Sequence, residues 1–294
     1  MNRLSRPVLT VDLGGTYIRT GIVGTDFRVR HRQRGSTPAG SSAELLNGLL
    51  ELIYRSDRRL YRSVSIGFAG LVSWPDGRII TAPSLPAVTN LPLRRYIQGI
   101  LKRPVTVDND ATLWTLGEAL LGAGRGRRVV AGLTLGTGVG GGLVVDGRVF
   151  RGKDNVSEFG HMIVRDGGPA DQHGGRGHLE SYAGGWSIGR TYARATGRRL
   201  SAADVAKRRN PASRRIMADA AHALALALAN IIHLMNPDII VIGGSVARAP
   251  GLLTTAKQAL PQYLLHPTIE TPVVAARLGE DAPLIGAAIL SSTR

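Results

Sequence analysis

The chain has 294 residues, 43% of them hydrophobic and none of them cysteine, so two lobes are predicted rather than one core, and disulfide and thiolate chemistry are excluded. No run of 18 uninterrupted apolar residues occurs, and residues 1–7 lack the apolar block of a signal peptide; a cytoplasmic protein without a membrane partner is expected. The net charge of +16 comes from 37 basic against 21 acidic residues, yet the arginines are scattered in ones and twos and only 5% of residues are aromatic, which argues against a nucleic-acid partner.

Residues 8–13 are apolar, Gly14-Gly15-Thr16 turn the chain, and residues 18–23 return it, with a third strand over 28–34. Ser41-Ser42 with Glu44 begins a helix, a hydroxyl cap with an acid in the first turn. Residues 64–68 read as a buried strand ending in Ala69-Gly70. Residues 83–92 read as a loop, 93–101 as a helix and 105–107 as a strand. The next helix starts near Asn109-Asp110 and stops at 122–124. A second hairpin follows: apolar 129–135, the turn Gly136-Thr137-Gly138, then 140–145, with Asp146-Gly147 turning into 149–150. Residues 151–185 are loop-like and dense in Gly and His. Asn210-Pro211 caps a long Ala/Leu-rich helix that ends at Asn236-Pro237. A strand over 238–242 breaks at Gly243-Gly244-Ser245, and a last helix covers 282–290.

The two hairpins form a weak internal repeat about 120 residues apart, which predicts two similar halves facing each other across a cleft. Gly136, Gly138 and Gly141 fit G-x-G-x-x-G, but strand and turn follow where a dinucleotide site needs a helix; a P-loop is absent. Hairpin turns rich in Gly and Thr instead offer unobstructed backbone N–H groups, a nest for phosphate oxygens. Asp12, beside the first turn, would hold Mg²⁺ through water. Gly243-Gly244 after a buried strand lets a flat adenosine ring approach the backbone. Asp110 at a helix start is an ordinary cap and also a candidate base that deprotonates an attacking hydroxyl.

Together Asp12-Leu13-Gly14-Gly15-Thr16, Asp108-Asn109-Asp110, Leu135-Gly136-Thr137-Gly138-Val139-Gly140, Glu158-Phe159-Gly160-His161, Gly177-His178-Leu179-Glu180 and Ile242-Gly243-Gly244 resemble the ROK family over nearly the whole chain. The resemblance implies an α/β, two-lobed, actin/hexokinase-like (ribonuclease H-like) fold with duplicated βββαβα-type halves. The lobes would be 1–108 plus 282–294, and 109–281. It implies phosphorylation of a hexose or aminohexose, usually on the 6-hydroxyl, with ATP and Mg²⁺. Asp110 would be the base; Gly70, Asn109, Glu158, His161 and Glu180 would hold the sugar. Gly14, Gly15, Thr16, Gly136, Thr137, Gly138, Gly243 and Gly244 would meet the nucleotide. A homodimer is implied by the same analogy.

Departures from the family pattern bear on metal and substrate. Where the family often carries a cysteine-rich zinc loop, residues 171–180 contain no cysteine; Asp171, His173 and His178 with His161 either form a harder His₃Asp zinc site or are solvated side chains of a loop that has lost zinc. Tyr17, Ser157, Ala69-Gly70-Leu71 and Ser84 also depart from the usual residues, so glucose, glucosamine, kanosamine and an acylated mannosamine all stay open as substrates. Polyphosphate stays open as a donor. The competing readings are a ROK-type sugar-sensing regulator, for which the seven residues before Val8 leave no added DNA-binding domain, and a sugar-binding pseudokinase, against which the retained Asp12, Asp110 and glycine turns stand.

Overall fold

The structure is a computed structural model that describes residues 4–154, 157–266 and 270–292. In chain order it contains β1 (Val8–Leu13), β2 (Tyr17–Val23), β3 (Val29–Ser36), α1 (Ser42–Tyr54), β4 (Ser63–Phe68), β5 (Leu71–Ser73), β6 (Arg78–Thr81), α2 (Leu93–Leu101), β7 (Val105–Asn109) and α3 (Asp110–Leu121). Then come β8 (Val129–Leu135), β9 (Val139–Val145), β10 (Arg148–Val149), α4 (Glu180–Ala183), α5 (Gly185–Thr196), α6 (Ala202–Lys207), α7 (Pro211–Met235), β11 (Ile239–Gly243), α8 (Leu252–Ala259), β12 (Val273–Ala275) and α9 (Ala282–Ser292). The chain divides into two compact units, one of Met1–Gly126, Gly147–Val156 and Arg277–Arg294, the other of Arg127–Asp146 and Ser157–Ala276.

The first unit is built on a sheet of order β3-β2-β1-β4-β7. β1 pairs antiparallel with β2 and parallel with β4, and β4 runs parallel to β7. Every residue of β1 is buried, as expected of a strand covered on both faces. Leu9, Val11 and Leu13, alternate residues of one face, join Leu45, Leu49 and Leu52 of α1 and Leu93 and Ile97 of α2 in a single core. α9 packs on β1, β4 and α3. At the α3–α9 crossing a Cβ on Gly286 would fall 1.7 Å from the Leu113 carbonyl oxygen, so only glycine permits that approach.

The second unit repeats the plan with the order β9-β8-β11-β12, a hairpin of β8 and β9 followed by two parallel strands. α7 begins as its sequence predicts: the Asn210 side chain accepts from the Ser213 amide, Pro211 takes the first position, and Asn236 ends the helix in the left-handed conformation. By length and composition α7 is the one helix among the described residues that is apolar enough to cross a membrane, yet Ala220, Leu224, Leu228, Ile231 and Ile232 are buried in this unit's core.

The strands and helices read from the sequence are present with ends shifted by a few residues. The β5–β6 hairpin, α4, α5, α6, α8 and β12 were not expected. α4 lies in the segment read as loop, because Gly177, Gly184 and Gly185 interrupt any helical pattern there. The first unit also holds more chain than residues 1–108 with 282–294. α3 packs against α9, and so it and Arg277 onwards fall in the first unit.

Candidate active site

In the first unit, the end of β7 delivers Asp108, Asn109 and Asp110 to the start of α3. The Asn109 side chain accepts from the Thr112 amide at 2.9 Å and donates to the Gly70 carbonyl at 3.1 Å. Asp110, half-buried in the first turn of the helix, accepts from the Ala111 amide at 2.8 Å. Asn109, Asp110 and Gly70 are thus brought together. The Gly14–Thr16 turn is closed by the Gly14 amide donating to the Tyr17 carbonyl, and the Thr37 hydroxyl donates to the Gly14 carbonyl at 2.7 Å. Asp12 stands at the end of β1 with its carboxylate engaged by Arg19 through Nε at 3.0 Å and through Nη2.

In the second unit, the turn at Gly136, Thr137 and Gly138 is docked on the start of α5: the Gly185 and Trp186 amides donate to the carbonyls of Gly136 and Thr137. Glu180 is nearly fully buried at the head of α4. Its Oε2 accepts from the Val139 amide at 2.7 Å, and its Oε1 lies 3.2 Å from both Gln172 Nε2 and His173 Nε2. A Cβ on Gly138 would sit 2.3 Å from that carboxylate, so glycine is required for the phosphate turn and Glu180 to touch. Gly243 ends β11, and Gly244 follows with φ of +97°.

Glu158 is exposed to solvent over part of its surface, and neighbouring protein desolvates the rest. Burial pushes its carboxyl above the ordinary range; His161 pulls it down and Glu180 pushes it up further. All three residues belong to the second unit, and the charges of His161 and Glu180 act on Glu158.

Of the four side chains considered for zinc, three converge. His161 Nδ1, Asp171 Oδ2 and His178 Nδ1 lie 3.3, 2.7 and 3.7 Å apart in pairs (His161–His178, His178–Asp171, His161–Asp171). Donors about 2.1 Å from a tetrahedral zinc stand roughly 3.4 Å apart; the 3.3 and 3.7 Å edges suit such a site, and the 2.7 Å edge is a His178–Asp171 hydrogen bond that zinc would replace by widening it. His173 is turned towards Glu180 instead. Burial works against the charge on Asp171, but hydrogen bonds from His178 and from the His173 and Gly175 amides outweigh it and hold its carboxyl below the usual range.

Two residues of this neighbourhood escaped the sequence reading. Arg19 sits on β2 and engages Asp12. Arg151 grips Asp108 from a segment that reads as featureless loop. Alternation along β2 points Arg19 to the same side as Asp12's partner position, a signal available in principle; nothing local marks Arg151.

A duplicated unit of hairpin plus parallel strands, with glycine-rich turns at the hairpins and a carboxylate at a strand-to-helix junction, defines the actin-like class of α/β folds. The chain belongs to the ROK family, whose model matches residues 8–294. It is 32% identical to a glucokinase of Thermotoga maritima, over 98% of each chain. It is also 32% identical to an N-acetyl-D-glucosamine kinase of Escherichia coli, over 96% of this chain and 98% of the relative. A ROK hexokinase structure from Thermus thermophilus superposes with a TM-score of 0.86, 32% identity and 98% coverage of both chains. A ROK family glucokinase from Streptomyces griseus, solved with glucose and AMPPNP, superposes at 0.85 with 27% identity, over 98% of this chain and all of the other.

Proposed function

We propose that this chain is a sugar kinase that transfers the γ-phosphoryl group of ATP to the 6-hydroxyl of a hexose or aminohexose. The observation that carries the reading is the β7–α3 junction, where Asp110 is presented by a helix start that Asn109 caps, in a chain matched end to end by kinases. Asp110 takes the proton of the attacking hydroxyl, which joins the phosphorus as the bond to ADP breaks. Asn109 beside it is a candidate to bind a neighbouring sugar hydroxyl, and Glu158, His161 and Glu180 are of the residue types that accept such hydroxyls; carboxylates that accept such bonds reject analogues lacking them. One of these acids is not bare. Glu180 already serves Val139 and Gln172, so it orients the phosphate turn and the sugar together.

The turns Gly14–Thr16 and Gly136–Gly138 offer their amides to the phosphates, and Gly243-Gly244 leaves room for the adenine. Magnesium, when bound, neutralises phosphate charge; Asp12 would meet it through water, since Arg19 already holds that carboxylate. Zinc, when bound, would be held by His161, Asp171 and His178 and would brace the loop that carries Gln172 and Glu180.

An ADP-release assay with ATP and Mg²⁺ across glucose, N-acetylglucosamine, N-acetylmannosamine, glucosamine and kanosamine tests this directly. Turnover with at least one sugar is expected. Asp110→Asn should lower kcat about 10²- to 10⁴-fold while calorimetric sugar affinity stays within a few-fold of the parent. Sugar binding without turnover in the parent protein would instead make it a sensor or pseudokinase.

A further inference from the structure

Asp108 is one of the most deeply buried charged groups of the first unit, and it does not face the substrates in the reading above. Both its oxygens are committed. Oδ1 accepts from Arg151 Nη1 at 3.1 Å and from the Asn109 amide at 2.9 Å; Oδ2 accepts from Arg151 Nη2 at 2.6 Å. This is the two-pronged fit that a guanidinium makes with a carboxylate and that lysine cannot reproduce. The guanidinium is itself fixed, its carbon 3.7 Å from the centre of the Trp74 ring. Three residues further on, Asp154 Oδ1 accepts from the Trp74 amide at 2.6 Å. The 151–154 segment is therefore tied twice to Trp74 and once, by a buried ion pair, to the end of β7.

We propose that Arg151 is a positioning residue: stacked on Trp74, it clamps Asp108 and so fixes the β7–α3 junction that carries Asn109 and Asp110. The inference rests on the kinase reading for what the junction does, though not for the clamp itself. Asp108 is one peptide from Asn109, whose side chain caps α3 and reaches Gly70; a shift of the buried carboxylate has no flexible link in which to dissipate before it reaches Asp110. A misplacement of about 1 Å at such a base costs on the order of 100-fold in rate. Buried ion pairs contribute little net stability compared with apolar replacements, and that separates a role in registry from one in holding the fold together.

Three variants read this out: Arg151→Met, Arg151→Lys, and the double variant Arg151→Met with Asp108→Asn, which removes both charges. Arg151→Met should lower kcat about 10- to 100-fold, leave both KM values within about 3-fold, and speed deuterium exchange at amides 109–112. Arg151→Lys should recover part of the rate. The double variant, relieved of an unpaired buried charge, should regain thermal stability but not kcat, and its junction amides should still exchange fast. A parent-like kcat in Arg151→Met would overturn the proposal, as would a double variant that regains stability and kcat together. If the parent turns over no sugar, the kinase reading fails separately and exchange decides the clamp: faster exchange at 109–112 in both Met variants upholds it, and unchanged exchange overturns it.

Discussion

Glu158 shows how the protein sets the chemistry of a single side chain. Burial raises its carboxyl above the 4.5 of a free glutamate, with His161 opposing and Glu180 assisting. A carboxyl raised in the folded chain keeps its proton after the unfolded chain has lost it, so ionising it as pH climbs through the raised value removes stability. Sugar hydroxyls, in contrast, donate best to the ionised form. Sugar affinity should therefore improve as pH rises through an inflection above 4.5, and Glu158→Gln should bind weakly and without that inflection. A calorimetric pH series on both proteins checks this; an inflection that survives in Glu158→Gln would assign it to another group. Asp110, Glu158 and Glu180 could be singled out from the sequence because their motifs have fixed local neighbours. Arg19 is signalled only by the hairpin register that sets it opposite Asp12, and Arg151 not at all, since it matters through Asp108 forty-three residues away.

Among the elements, the segment from Pro169 to Glu180 is short of regular structure and is held by its own polar groups. Asp171 gathers the His173 and Gly175 amides and the His178 ring, while Gln172 and His173 reach Glu180. Replacing thiolates by this donor set gives a harder, weaker zinc site. Metal analysis of the purified protein should find one zinc per chain, lost on treatment with a chelator and absent in His161→Ala and in His178→Ala; with it the melting temperature should fall and recover on adding zinc. A protein free of zinc whose melting temperature ignores the chelator would leave the hydrogen bonds alone to hold the segment. Elements announced by local chemistry were legible beforehand: α1, α3 and α7 have Ser41, Asn109 and Asn210 as caps, each bonding an amide three residues on. α5 was not, because it opens on Gly184-Gly185 and takes its start from amides donated to the Gly136 turn. Glu118 was equally hidden. It lies fully buried in α3, where its carboxylate accepts from the amides of Ala123, Arg277 and Leu278 and ties the return of the chain to the first unit.

For the whole molecule, the charge of +16 acts on one proposed substrate far more than on the other. The sequence shows basic residues in scattered pairs; the fold gathers Arg78, Arg94, Arg95, Lys102 and Arg103 around one groove of about 950 Å³ in the first unit, with Asp76 as the acid among the lining residues. ATP carries several negative charges, whereas glucose and N-acetylglucosamine carry none. A field of this sign concentrates the nucleotide near the protein and speeds its encounter, and salt screens it over a Debye length of about 10 Å at 0.1 M. Raising ionic strength should therefore raise KM for ATP several-fold and leave KM for a neutral hexose almost unchanged. Glucosamine, a cation at neutral pH, should respond in the opposite sense, its KM falling as the repulsion is screened, so the same titration separates a neutral from a cationic sugar. Steady-state kinetics at low and high NaCl with one substrate saturating at a time make the measurement. Equal salt dependence for ATP and the neutral sugar would mean that the excess charge serves neither, and that nucleotide affinity comes from the short-range amide contacts of the two glycine turns.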